Sequence, residues 1–262
     1  MQALLVALPR ARRFAWLEAF RSPWWALVPA GSIVVVIGIV AWEGESATAL
    51  SWLALVAVPP FAALALGWLV HGSRPEWAAA IAPLFVVAWA SPGSLLGEAA
   101  ATALTGLGCI GLGWLLASVA PARWLKWGIY AMATVDTVFV AADLLQGPNA
   151  VLTAAAPSGL PRLQAIHFGS ALMGFGDLFI AATLGCLLAL PARRRQLFGA
   201  ALVAVLGLGF DLLFFAVDTL PATVPVALAL ALIELRDRLR AGDPGDREDQ
   251  GEARRREGDF AP

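Results

Sequence analysis

Eight apolar stretches divide the chain, at about 24–42, 49–70, 76–90, 99–120, 125–145, 165–190, 197–217 and 221–235. A helix that crosses the hydrocarbon core of a bilayer needs about 20 apolar residues. Each stretch therefore predicts a membrane helix, the third and eighth being the shortest. Trp24, Trp25, Trp42, Trp52, Trp68, Trp77, Trp89, Trp124 and Trp127 fall near the ends of the early stretches, where aromatic rings settle at the membrane–water interface. The fold class expected is all-α, a polytopic bundle of about eight transmembrane helices.

Composition agrees with that pattern. Of 262 residues 60% are hydrophobic and 14% charged, against about 45–50% and about 25% in soluble domains. The net charge of −1 decides nothing, because orientation follows where the cations lie. Arg10, Arg12, Arg13 and Arg21 precede the first stretch, and Arg74, the pair Arg123 and Lys126, and Arg193–Arg195 recur at alternate connections. An Arg-rich tail follows the last stretch, while the intervening connections hold only Arg162. By the positive-inside rule both termini are expected in the cytoplasm.

Four regions follow. Residues 1–23 read as a cytoplasmic arm with an interfacial amphipathic helix at about 11–21. Residues 24–120 form an N-terminal four-helix membrane region, 121–235 a second membrane region carrying the acids discussed below, and 236–262 a disordered charged tail. Ala3–Leu8 comes before the basic cluster, the reverse of a secretory signal. Basic residues are nearly all Arg and Ala is abundant, which suggests a GC-rich prokaryotic genome and hence a prokaryotic cytoplasmic membrane. Cys109 and Cys186 stand alone in apolar runs and read as small core residues. No ligand spacing suits a metal and no Gly-rich loop suits a phosphate, so no cofactor and no nucleic-acid partner is expected.

Candidate chemistry lies in the acids. Asp177 closes Gly174-Phe175-Gly176-Asp177 inside the sixth stretch, and Asp136 lies inside the fifth. A carboxylate facing lipid is costly, so intramembrane acids point to function. Counting helical rise from the outer ends places both acids at a similar depth of about 14–18 Å. Paired carboxylates can divide labour, one taking a proton from water and the other giving one to a carbonyl oxygen. The competing reading makes each acid a lone buried group satisfied by backbone or by a Ser or Thr. Gly174 and Gly176 either let helices pack closely or leave room for a peptide backbone beside Asp177. Pro221 and Pro225 predict a partly unwound start to the eighth stretch. Asp143 and Asp218 fall near the outer interface, Asp211 is expected to hydrogen-bond within the bundle, and His167 reads as an interfacial polar residue.

These segments resemble the intramembrane aspartyl proteases of the presenilin and signal-peptide-peptidase family. Val135-Asp136-Thr137-Val138-Phe139 resembles the family's Tyr-Asp motif, Gly174-Phe175-Gly176-Asp177 matches its Gly-x-Gly-Asp motif, and Pro221-Ala222-Thr223-Val224-Pro225 resembles its Pro-Ala-Leu motif. The likeness covers about 125–235. It implies a presenilin-like C-terminal half, Asp136 and Asp177 as the catalytic pair, and Gly174, Phe175, Gly176, Pro221, Ala222 and Thr223 as residues that shape the site and contact substrate. The implied partners are transmembrane-segment peptides within the lipid bilayer. Val135 stands where the family has Tyr and Thr223 where it has Leu, and eight spans are counted where the family has nine. The outward course of the Asp136 span is similar to the signal-peptide-peptidase branch, which cleaves type II segments. Two alternatives stay open: a type IV prepilin peptidase-like Gly-x-Gly-Asp protease, and a proton- or cation-coupled transporter using Asp136, Asp177 and Asp211. A catalytically dead scaffold with the same fold is a third.

Overall fold

The computed structural model describes residues 1–12, 14, 17, 19, 20, 22, 24, 31, 43–142, 159–168, 171–215 and 220–241. Its helices are α1 (Gln2–Ala7), α2 (Glu43–Leu64), α3 (Ile81–Ala90), α4 (Leu95–Val119), α5 (Ala122–Ala141), α6 (Phe175–Ala189), α7 (Arg193–Asp211) and α8 (Val224–Ala241). A π-helical turn at Ala65–Leu69 continues α2, and 3-10 turns lead into α3 and out of α7. Strands β1 (Ala165–Phe168) and β2 (Ala171–Gly174) form an antiparallel hairpin. The protein is thus mostly helical, as the apolar pattern requires.

Local chemistry sets several boundaries. Ser94 begins α4, its Oγ accepting from the Gly97 amide at 3.0 Å, which satisfies one orphan donor of the first turn. Pro121 precedes α5 with extended backbone. Inside α2, Pro59 and Pro60 remove two backbone donors, and the helix widens into the π turn a few residues later.

α4 is the spine. It packs against α2, α3, α6 and β1, and Leu104, Cys109 and Ile110 on it are fully buried. α1 lies between α6 and α7, and α8 packs on α5 and α7. Large apolar side chains also point outward: Val56 on α2 is 72% exposed, and Val205 and Leu208 on α7 are 67% exposed. Thr48–Leu69 and Leu95–Val119 are long and apolar enough to cross a membrane. These two helices and the outward apolar faces fit association with a bilayer.

Several expectations change. Among the described residues two helices meet the spanning criterion rather than eight. The stretch 165–190 is not one helix, because Ala165–Phe168 and Ala171–Gly174 pair as strands and α6 has only 15 residues, about 22 Å at helical rise. α5, α7 and α8 each carry several charged residues at one end, which lowers their apolar content over a spanning length. Most of 24–42 lies outside the described residues, as do Asp143 and Asp218. The region after 235 does not begin as a disordered tail, because α8 runs on to Ala241. Contacts hold that last part in place: Arg195 pairs with Asp237, and Arg236 lies over the Phe198 ring at 4.2 Å. Residues 242–262 are outside the described residues.

The N-terminal region differs most. The expected interfacial helix at 11–21 is only partly covered by the described residues. Upstream, Gln2–Ala7 is not an arm outside the bundle; Leu5 and Val6 are 2% and 0% exposed. Six residues leave most helical carbonyls without intrahelical partners, and neighbours supply them. Gln196 Nε2 donates to Val6 O at 2.8 Å and to Pro9 O at 2.7 Å, and Arg193 donates to Ala7 O. The chain then pairs with the end of the π turn, Arg10 N donating to Leu69 O at 2.6 Å and His71 N to Leu8 O at 3.1 Å.

Candidate active site

Three segments converge beside the start of α6. Gly174 ends β2 and caps α6 with extended backbone, φ −69° and ψ 156°. Asp177 occupies the first turn of α6, where its Oδ2 accepts from Gly174 N at 3.2 Å. A carboxylate in a helix's first turn satisfies an orphan amide and faces the positive end of the peptide dipoles. Phe175 N donates to Gln164 O at 3.3 Å, which ties the hairpin to the helix start. Phe175 and Phe179 stack with centroids 6.5 Å apart.

Asp136 comes from α5, three turns past its charged beginning. Its Oδ2 accepts from Thr223 Oγ1 at 2.7 Å and from Thr223 N at 3.3 Å. Thr223 is 2% exposed and precedes α8, in the turn Pro221-Ala222-Thr223 that the two prolines keep out of the helix. The neighbouring Ala222 carbonyl accepts from Gln2 Nε2 at 2.8 Å. The same amide reaches Asp177 O at 3.5 Å, so Gln2 bridges the Ala222 segment and the α6 start.

Asp136 and Asp177 lie within Coulombic range of each other. Met132, one turn before Asp136, has its terminal carbon 4.0 Å from where a Cβ on Gly176 would stand. The depth of Asp177 along its helix is not the one counted from the sequence. Asp177 lies in the first turn of a helix rather than mid-span, because Ala165–Phe168 and Ala171–Gly174 are paired strands. The α5–α6 contact nevertheless leaves the two acids within Coulombic range, each beside the turn before α8.

Of the residues singled out in the sequence, Asp136, Gly174, Phe175, Gly176, Asp177, Pro221, Ala222 and Thr223 all fall at this place. Val135 is half-buried on α5. Asp211 is exposed at the end of α7, correcting its expected place inside the bundle, although it borders a cavity of about 50 Å³ with Gln2, Pro221, Ala222 and Pro225. A water occupies about 30 Å³ of liquid, so that space suits one or two. The backbone of His167 lies in β1, and its side chain is outside the described residues. Among the described residues no cluster of His, Cys, Asp and Glu could hold a metal ion.

Sequence reasoning missed Gln2. Its signal was faint: one amide side chain just ahead of a short apolar stretch, in a segment read as lying outside the bundle. No protein-family model, curated protein or solved structure matches this chain.

Proposed function

We propose that this chain is an intramembrane aspartyl protease that hydrolyses peptide bonds within transmembrane segments, type II oriented segments or remnant signal peptides. One observation carries the reading. Asp136 and Thr223, 87 residues apart, are hydrogen-bonded, Asp177 lies within Coulombic range of Asp136, and Gln2 links the Asp177 and Ala222 carbonyls. In this reading the chain is a polytopic bundle with both termini in the cytoplasm, and α5 runs outward.

Two close carboxylates do not readily ionise together, so the working pair carries one proton. The ionised member takes a proton from water as the water oxygen attacks the scissile carbonyl carbon. The protonated member gives its proton to the carbonyl oxygen. The C–N bond then breaks as the first carboxyl protonates the leaving nitrogen and a hydroxyl proton returns to the second. Thr223 directs two donors at Asp136 Oδ2, which orients the carboxylate and leaves Oδ1 to face the water.

A scissile bond must be extended to be reached. β2 ends at Gly174, and strand edges accept extended peptides through backbone hydrogen bonds. Gly174 and Gly176 leave space beside Asp177 for that backbone. The test is cleavage of a reporter transmembrane segment by the full chain. Asp136→Asn and Asp177→Asn are each expected to lower cleavage at least a hundredfold with membrane insertion retained. Full activity in either variant would sink the pair.

A further inference from the structure

Away from the acids, the charged ends of α5 and α8 border an open cleft of about 360 Å³ lined by Arg123, Lys126, Trp127, Tyr130, Glu234 and Arg238. That is within the range of small-ligand sites, about 300–1,000 Å³. Glu234 is fully engaged: Oε1 pairs with Lys126 Nζ at 2.8 Å, and Oε2 accepts from the Tyr130 hydroxyl at 3.0 Å. Lys126 is thereby neutralised, and two guanidinium groups remain in excess. Arg123 rests on the Trp124 ring at 5.4 Å, and among the described residues neither Arg123 nor Arg238 forms an ion pair. Trp127 of the lining is 65% exposed, and Leu235 and Leu239, which follow Glu234 and Arg238 on α8, are 53% and 69% exposed.

We propose that this cleft binds an anionic phosphate group presented by the headgroup of a membrane phospholipid. Guanidinium groups offer planar forks of donors that match phosphate oxygens. Tyr and Trp suit a boundary that is apolar on one side and wet on the other. The exposed Leu235 and Leu239 give acyl chains a surface to lie on. Basic residues near the ends of spans attract anionic lipid. A free phosphate would meet the same two arginines but would leave the exposed Trp127, Leu235 and Leu239 uncovered. The inference rests on membrane placement and not on the acids, so loss of the protease reading leaves it intact.

The test is native mass spectrometry of the full chain in detergent, with phosphatidylglycerol, phosphatidylcholine or inorganic phosphate added separately. The variants are Arg123→Gln with Arg238→Gln, and Arg194→Gln, which removes an exposed arginine of α7 outside the cleft. Wild type and Arg194→Gln are expected to hold phosphatidylglycerol at least tenfold more tightly than the double variant does. Inorganic phosphate bound with the same arginine dependence, and no lipid, would keep the phosphate site and make its source soluble. Equal lipid retention in the double variant and Arg194→Gln, or phosphatidylcholine held as tightly as phosphatidylglycerol, overturns the proposal. Both cleft arginines are exposed, so their replacement leaves no buried void, and unchanged elution and melting check the fold.

Discussion

The glycines of the spine and the glycines of the acid motif occupy opposite environments. A Cβ on Gly111 of α4 would stand 2.4 Å from the Phe61 carbonyl oxygen of α2, and one on Gly185 of α6 would stand 2.7 Å from backbone atoms of Leu5 and Val6. Both contacts are to main chain, which cannot swing aside. Beside the acids the nearest atoms are Asp177 Oδ2, 3.5 Å from the Gly174 position, and the Met132 terminal carbon, 4.0 Å from the Gly176 position. Identical residues therefore do different work. In the spine a hydrogen lets two backbones touch. At the acids it keeps a space open. Small residues in membrane helices are commonly read as packing devices, and only the first group fits that reading.

The contrast can be broken experimentally. The largest effect is expected from Gly111→Ala or Gly185→Ala, where overpacking against backbone costs about 3 kcal/mol or more. For a chain of this size that corresponds to a loss of roughly 6–12 °C in melting temperature, readable by thermal unfolding in detergent. An unchanged melting point would mean that the close crossings are not obligatory.

Thr223→Val comes next. It keeps the shape but removes the hydroxyl donated to Asp136. A hydrogen bond to a charged group contributes about 1.5–3 kcal/mol, so reporter cleavage is expected to fall roughly 10- to 150-fold. Melting should fall as well, by roughly 3–12 °C at that energy, and Thr223→Ser should recover most of the activity. Equal loss in the Ser variant would show that the contact is merely structural. The smallest effect is expected from Gly176→Ala, which has room for the added methyl. Stability should hold within about 1 kcal/mol while cleavage drops a few-fold as the space for substrate narrows. A melting loss as large as that of Gly185→Ala would erase the distinction between the two groups.

Much of the scaffold was legible because apolar runs of spanning length are hard to mistake, and α2, α4, α5 and α7 follow them closely. The hairpin was not legible. Residues 165–174 continue an apolar run, and periodicity alone does not separate a short buried strand from a helix. Only the Gly169-Ser170 pair between two short runs hinted at a turn. α1 was missed for a different reason, since six residues are too few to form a stable helix alone and its burial depends on the elements packed over it, chiefly α6 and α7. At the site, Asp136 and Asp177 stood out by cost. Thr223 stood out only as a difference from the Pro-Ala-Leu motif that the segment resembles, and its hydroxyl is the one bound to Asp136. No local pattern encodes such a contact, because its partners meet only in the folded chain.

The placement of Gln2–Ala7 has a consequence for biosynthesis. Gln196 follows its partner Val6 by 190 residues, and Ala222 follows its partner Gln2 by 220. At translation rates of about 5–20 residues per second, the segment waits roughly 10–40 s before they exist. During that interval Leu5 and Val6 must be sheltered by lipid or by the insertion machinery. The Gln2 bridge between Ala222 and the start of α6 is then among the last contacts to close, so a nascent chain carries both acids well before it holds them together.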